Sequence, residues 1–210
     1  MSRDGDQLAR LRQVMHRLRR ECPWDARQTH RSLVTYLVEE TGEVIDAVES
    51  GDDEDLVEEL GDLLLQVYFH AAIGEQEGRF TLDDVAGGIS DKLVRRHPYV
   101  FADDHVPEDL HGSWEARKRA EKGRNSSLEG IADSLSVVAR ATKVASRARN
   151  HRVPVDLPDE PITAEQVGQG ILDLVLRAQA HGIDADQAAR DALRELEARV
   201  RQAEEGAQLS

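Results

Sequence analysis

Val38-Glu39-Glu40-Thr41-Gly42-Glu43-Val44 and, beyond Gly51, Glu58-Glu59-Leu60-Gly61-Asp62-Leu63-Leu64 form the stretch on which the fold turns. Side chains three or four apart share one face of a helix. Glu40 therefore projects with Glu43, and Glu59 with Asp62, while Glu39 and Glu58 lie four before Glu43 and Asp62. A helix is predicted from near Ser32 to Gly51, with an apolar stripe of Leu33, Leu37, Val44, Ile45 and Val48 and a glycine suited to the C-terminal cap. Asp52 and Asp53 suit the N-terminus of the next helix, whose expected buried face is Leu56, Leu60, Leu63, Leu64 and Val67. So short a turn makes the two helices an antiparallel hairpin. Fifteen residues separate Glu43 from Glu59. Both acidic pairs then stand about two turns from the connection, at similar heights and facing each other.

Working outward, Leu8, Leu11, Val14, Met15 and Leu18 mark a helix from about Asp6 to Arg20, broken by Cys22-Pro23-Trp24-Asp25. Thr81-x-x-Asp84 is a capping box for a helix that stops before Pro98. Residues 98–112 read as an irregular loop, followed by a short helix from Trp114 to about Lys122. A further helix spans about Ser134 to Asn150, the proline-rich stretch Pro154 to Pro161 reads as a linker, and two last helices cover about 164–181 and 185–205. No convincing period-two pattern occurs, so the expected class is all-α.

Composition agrees. Of the 210 residues 40% are hydrophobic and 32% charged, but only 4% aromatic, a mix that favours helices. The net charge of -14 argues against a nucleic acid polymer as partner. No apolar run suffices to cross a bilayer and no signal peptide is read at the N-terminus. The lone Cys22 forms no internal disulfide, and a cytoplasmic location is expected.

Four converging carboxylates repel unless a counter-charge is present. Mg²⁺, a hard cation that prefers oxygen ligands and bridges to phosphates, resolves the repulsion. Gly42 and Gly61 each cost a helix interior about 1 kcal/mol relative to Ala, and close helix approach or room for a ligand is the expected return. A solvated acidic face is the plain alternative. A di-iron centre needs Glu-x-x-His pairs, which neither motif supplies.

The ordered acids, together with Cys22-Pro23-Trp24-Asp25, Gln28-Thr29-His30, Tyr36-Leu37-Val38-Glu39-Glu40, Glu59-Leu60-Gly61-Asp62-Leu63-Leu64, the run Asp91 to Phe101, and Trp114 with Lys118, resemble the MazG-like all-α nucleoside triphosphate pyrophosphohydrolases over about residues 8–150. The resemblance implies a helical bundle with an acidic helix-hairpin metal site completed by oligomerisation into a homodimer or homotetramer. It implies hydrolysis of NTPs or dNTPs to the monophosphate and pyrophosphate, dependent on Mg²⁺, with Mn²⁺ a substitute. By position, Glu40, Glu43, Glu59 and Asp62 are then metal ligands, Lys92, Arg95 or Arg96 and Lys118 phosphate contacts, and Trp114 a base-stacking ring tolerant of any base. Glu39 or Glu58, each one residue outside the ligand set, is the expected general base.

Three segments are expected: a catalytic domain over 1–125, a connecting helix and proline-rich linker over 126–162, and a degenerate second repeat over 163–210. The echo is Glu165-Gln166-Val167-Gly168-Gln169, where Gln166 and Gln169 stand in place of Glu59 and Asp62. Two other functions stand beside this: a narrower pyrophosphatase of the dCTP/dUTP or phosphoribosyl-ATP type, which shares the acid pairs but not, as a set, the Cys22-Pro23-Trp24-Asp25 and Arg95-Arg96-His97-Pro98 stretches, and a non-catalytic helical module that binds nucleotide or protein, against which the intact acids argue.

Overall fold

Most helices in the computed structural model begin where a short polar side chain takes the first free amide hydrogens. The structure describes residues 6–102, 105–107, 109–110, 112–114, 117, 121 and 126–208. Helix α1 (Gln7–Glu21) is capped by Asp6, which accepts from the amides of Leu8 and Ala9, and it ends at Cys22 ahead of Pro23. A single 3₁₀ turn over Asp25–Arg27 follows. Helix α2 (Val34–Ser50) closes at Gly51, whose φ of 75° is the left-handed conformation that glycine adopts without steric cost. Asp52 accepts from Glu54 and Asp55 to start α3 (Asp53–Gln76). The Thr81–Asp84 capping box opens α4 (Leu82–Arg96) as expected.

The chain divides into two compact units, Met1–Asp103 and Asp104–Ser210. Packing thus separates them nearer the N-terminus than the motif pattern does, and Trp114 belongs to the second unit. In the first unit α3 is the central element, packed by α1, α2 and α4. Its C-terminal half carries the core: Tyr68, Phe69, Ala72 and Ile73 join Met15 of α1 and Leu33. Glu75 ties this end down, accepting from Arg12 and His16 of α1 and from the amide of Leu82. Burial alone would raise its pKa; those three partners reverse this and hold it below the ordinary value.

Several expectations are corrected. Residues Pro98–Phe101 are not loop but a short helix, α5, because Pro98 at its first position needs no amide partner. The stripes are only half covered: Ile45 is 52% exposed, Val48 60% and Leu60 47%, and Leu8, Val14, Leu18 and Val67 are also exposed. Gly42 and Gly61 are not close-approach glycines, since a Cβ at either would meet nothing within 4 Å.

The second unit is built from α6 (Val137–Asn150), α7 (Ala164–Ala180) and α8 (Ala185–Gln208). Ser136 caps α6, whose first residue, Val137, lies three after the expected start near Ser134. Its core is Val144, Ala148, Leu193 and Val200. The proline-rich stretch is no free linker at its start, because Val153, Val155 and Leu157 pack on that core. Glu197 bridges Arg140 and Arg201, and Glu204 accepts from Ser126 and the amide of Ser127. Helix α7 has no buried residue. Among the described residues there is no strand, and no helix is long and apolar enough to cross a membrane.

Candidate metal centre

The α2–α3 hairpin brings its acids together. One carboxylate oxygen each from Glu40, Glu43 and Glu59 can be chosen so that all three lie within 4.8 Å of one another. Glu40 and Glu59 are half-buried and Glu43 is exposed. The expected matching heights are therefore realised: Glu43 lies seven residues before the end of α2 and Glu59 six after the start of α3. Asp62, also half-buried, stands beside this trio, since its charge acts on both Glu40 and Glu59.

Among the described residues, the electrostatics are those of an uncompensated cluster. Burial, then the charges of Asp62 and Glu43, a hydrogen bond shared with Glu43 and the charge of Glu39 raise the Glu40 pKa above its ordinary value. Glu59 is likewise raised, by burial and then by Glu43, Glu58, Asp62 and Asp55. Every named charge acting on these two groups is a carboxylate. A cavity of about 220 Å³ continues along the hairpin, lined by Glu43, Asp46, Ala47, Ser50, Asp55 and Glu59. The donor set fits a divalent cation bound through oxygen. Mg²⁺ takes such oxygens at about 2.0–2.1 Å, so a mutual spacing under 4.8 Å needs little adjustment to surround one ion. The open space over Gly42 and Gly61 leaves the flanks of both motifs clear.

The other expected site residues are not all gathered here. Glu39 and Glu58 are exposed beside the cluster. Lys92 is half-buried, Arg95 exposed and Arg96 buried on α4, which packs on α3. Trp114 is half-buried in the second unit. Lys118 lies outside the described residues. Trp24 packs edge-on against Tyr36 and Phe69, with ring centroids 5.8 and 6.2 Å away. His97 donates from Nδ1 to the Leu93 carbonyl at the end of α4.

The segment expected as a second repeat differs from the acidic hairpin by more than the glutamines at 166 and 169. Gln166 accepts from the Thr163 amide as part of the capping box of α7. It is the third residue of that helix, whereas Glu59 is the seventh of α3. Among the described residues no second group of metal-ligating side chains forms. One contact escapes sequence reading altogether: His30 meets His70, forty residues away. Only the shared histidine type hinted at it.

Residues 28–101 match the model of the MazG nucleotide pyrophosphohydrolase domain. An uncharacterised 26.1 kDa protein of Streptomyces cacaoi is 43% identical over 95% of this chain and 84% of its own length. The nucleoside triphosphate pyrophosphohydrolase of Escherichia coli strain K12 is 44% identical over 69% of this chain.

The chain belongs to the MazG family.

The MazG match covers α2 to α5 and contains the whole acidic hairpin. The chain spans 58% of the Escherichia coli enzyme and 53% of the Mycobacterium tuberculosis enzyme, to which it is 42% identical. A crystal structure of a mazG-related protein from Thermotoga maritima overlaps 53% of this chain and 98% of that one, with a TM-score of 0.47 at 28% identity.

Proposed function

We propose that this chain hydrolyses nucleoside triphosphates, ribo or deoxy, to the monophosphate and pyrophosphate. The observation that carries the reading is the Glu40–Glu43–Glu59 trio within 4.8 Å, pressed on only by carboxylates among the described residues, on the hairpin matched by the MazG model. Several relatives at 40–44% identity are named nucleoside triphosphate pyrophosphohydrolases. Glu40, Glu43, Glu59 and Asp62 hold Mg²⁺, with Mn²⁺ a substitute. When bound, the ion supplies positive charge against the phosphate oxygens. Glu39 or Glu58 accepts a proton from the water that attacks the α-phosphorus. The bond from that phosphorus to the oxygen bridging to the β-phosphorus breaks, and pyrophosphate leaves.

Lys92, Arg95, Arg96 and Lys118 neutralise the phosphates, and Trp114 stacks on the base. Stacking reads a π-face that every base has, so the base preference is broad, and removal of non-canonical nucleotides follows from that breadth. The cellular setting is the cytoplasm. The substrate is the small nucleotide rather than a nucleic acid polymer, in keeping with the net charge of -14.

A nucleotide panel with Mg²⁺ and identification of products tests the reading. Pyrophosphate and monophosphate in equal amounts are expected from several bases. Release of orthophosphate alone contradicts α-phosphorus attack, a single accepted base favours the narrower pyrophosphatase, and tight binding with no turnover favours the non-catalytic module.

The uncovered apolar side chains of the hairpin, Val38, Ile45 and Val48 of α2 with Val57 and Leu60 of α3, are covered by further copies of the chain. Light scattering is expected to give two or four times 23.4 kDa. A monomer at micromolar concentration removes the assembly from the proposal.

A further inference from the structure

His30, in the turn before α2, and His70, on α3, approach Nδ1 to Nδ1 at 2.7 Å. Their ring planes differ by 3° and their centroids are 5.0 Å apart. Nitrogens so close with centroids so distant place each Nδ1 on the line between the rings. The imidazoles therefore meet edge to edge in a common plane, the geometry of an N–H···N hydrogen bond rather than of face stacking. One nitrogen must donate and the other accept.

Arg79 decides which. Its Nη2 lies 2.5 Å from Nε2 of His30. A guanidinium only donates, so Nε2 of His30 carries the lone pair and its proton is on Nδ1. His30 then donates to His70, whose own proton sits on Nε2. A proton added at Nδ1 of His70 would oppose the N–H of His30 and break this bond.

The surroundings offer protonation no reward. Phe80 lies against His30 with centroids 6.0 Å apart, and Arg79 stands over the Phe80 ring. Glu77 is engaged by Arg79. Further along α3, Glu75 is engaged by Arg12 and His16 of α1, and Arg19 is held by Gln76 and the carbonyls of Asp25 and Gln28. Arg31, exposed beside His30, adds only positive charge.

We propose that Arg79, His30 and His70 form an acid-sensitive clasp, in which the two histidines are positioning residues that hold the lead into α2 against α3 and release it when His70 is protonated. The same two helices carry the acidic cluster, so the clasp sets how they meet; the inference does not depend on the metal or the reaction proposed above. Burial, and then the neighbouring His30, lower the His70 pKa. The sign follows: the stability that neutral His70 contributes is fully present above the ordinary histidine pKa of about 6.5 and is lost as pH falls from there through the lower folded value.

Nitrogen-15 NMR of the full chain labelled at histidine tests the tautomers, with His30 and His70 signals assigned through variants. His30 is expected as the Nδ1–H form and His70 as the Nε2–H form; two Nε2–H rings overturn the relay. Thermal melts in metal-free buffer at pH 7.5 and 5.5 test the release. His70→Asn keeps an acceptor near the Nδ1 position and does not titrate, so it should hold the wild-type Tm at pH 7.5 and lose less of it at pH 5.5. His70→Leu leaves the His30 donor unmet and should lower Tm at pH 7.5 by about 2–4 °C. Equal acid sensitivity in His70→Asn and the wild type, or equal neutral Tm in the Asn and Leu variants, overturns the clasp. Should the variants fail to fold, the wild-type tautomers decide.

Discussion

Glu40→Gln is expected to reduce pyrophosphate release by about 100-fold or more, since even residues that only support metal ligands cost 10–100-fold when replaced. Carboxylate charge presses on Glu40 from both helices: Asp62 from α3, Glu43 and Glu39 from α2. The amide keeps the shape and removes the charge. The same substitution should leave the metal-free chain as stable as the wild type or more so, because it relieves repulsion. Steady-state kinetics paired with melts in chelator separates the two effects. A Glu40→Gln chain that retains full turnover ends the case for this site. A chain that loses turnover only because it unfolds shows a structural role instead.

Millimolar Mg²⁺ should raise the melting temperature of the wild type by about 5–10 °C at neutral pH if the concentration is about a hundredfold above Kd. The pH dependence has a definite sign. Glu40 and Glu59 have folded pKa values above the ordinary glutamate value, so the folded chain binds protons more readily than the unfolded one. Without metal, their contribution to stability is therefore most favourable below the ordinary glutamate pKa of about 4.3 and is lost as pH rises through the raised folded values. Protons and metal compete for the same oxygens. The Mg²⁺-induced shift should be largest at neutral pH and shrink as pH falls into the carboxylate range. Differential scanning fluorimetry over a pH series with Mg²⁺ or chelator measures it. An equal shift in Glu59→Gln, or a shift independent of pH, contradicts binding at this cluster.

Much of this centre was legible before any coordinates. Glu40-x-x-Glu43 and Glu59-x-x-Asp62 obey helix periodicity, and Gly51 with Asp52 marks a turn too short for anything but a hairpin. Spacing from that turn then sets the heights. What periodicity cannot supply is which part of an apolar stripe a neighbour reaches. Leu33 and Met15 are buried while Ile45, Val48 and Leu60, equally apolar and equally in register, are not. The two helical glycines show the same limit: their cost suggested close approach, and they face open space. Gln166 shows it a third way. In sequence it lines up with Glu59 of the acidic cluster, yet on α7 it serves the first turn as a cap, because its distance from the helix start is different.

The sequence by itself determined the all-α class, most helix ends and the acidic hairpin, because capping, turn chemistry and periodicity act over a few residues and are written locally. Tertiary structure alone decided that three of the acids converge within 4.8 Å with, among the described residues, only carboxylates pressing on them. It alone drew Val153, Val155 and Leu157 onto the second core and His30 to His70. Those outcomes depend on which surfaces of distant helices meet, and on how far burial strips charges of water. Neither quantity has a local imprint in the chain.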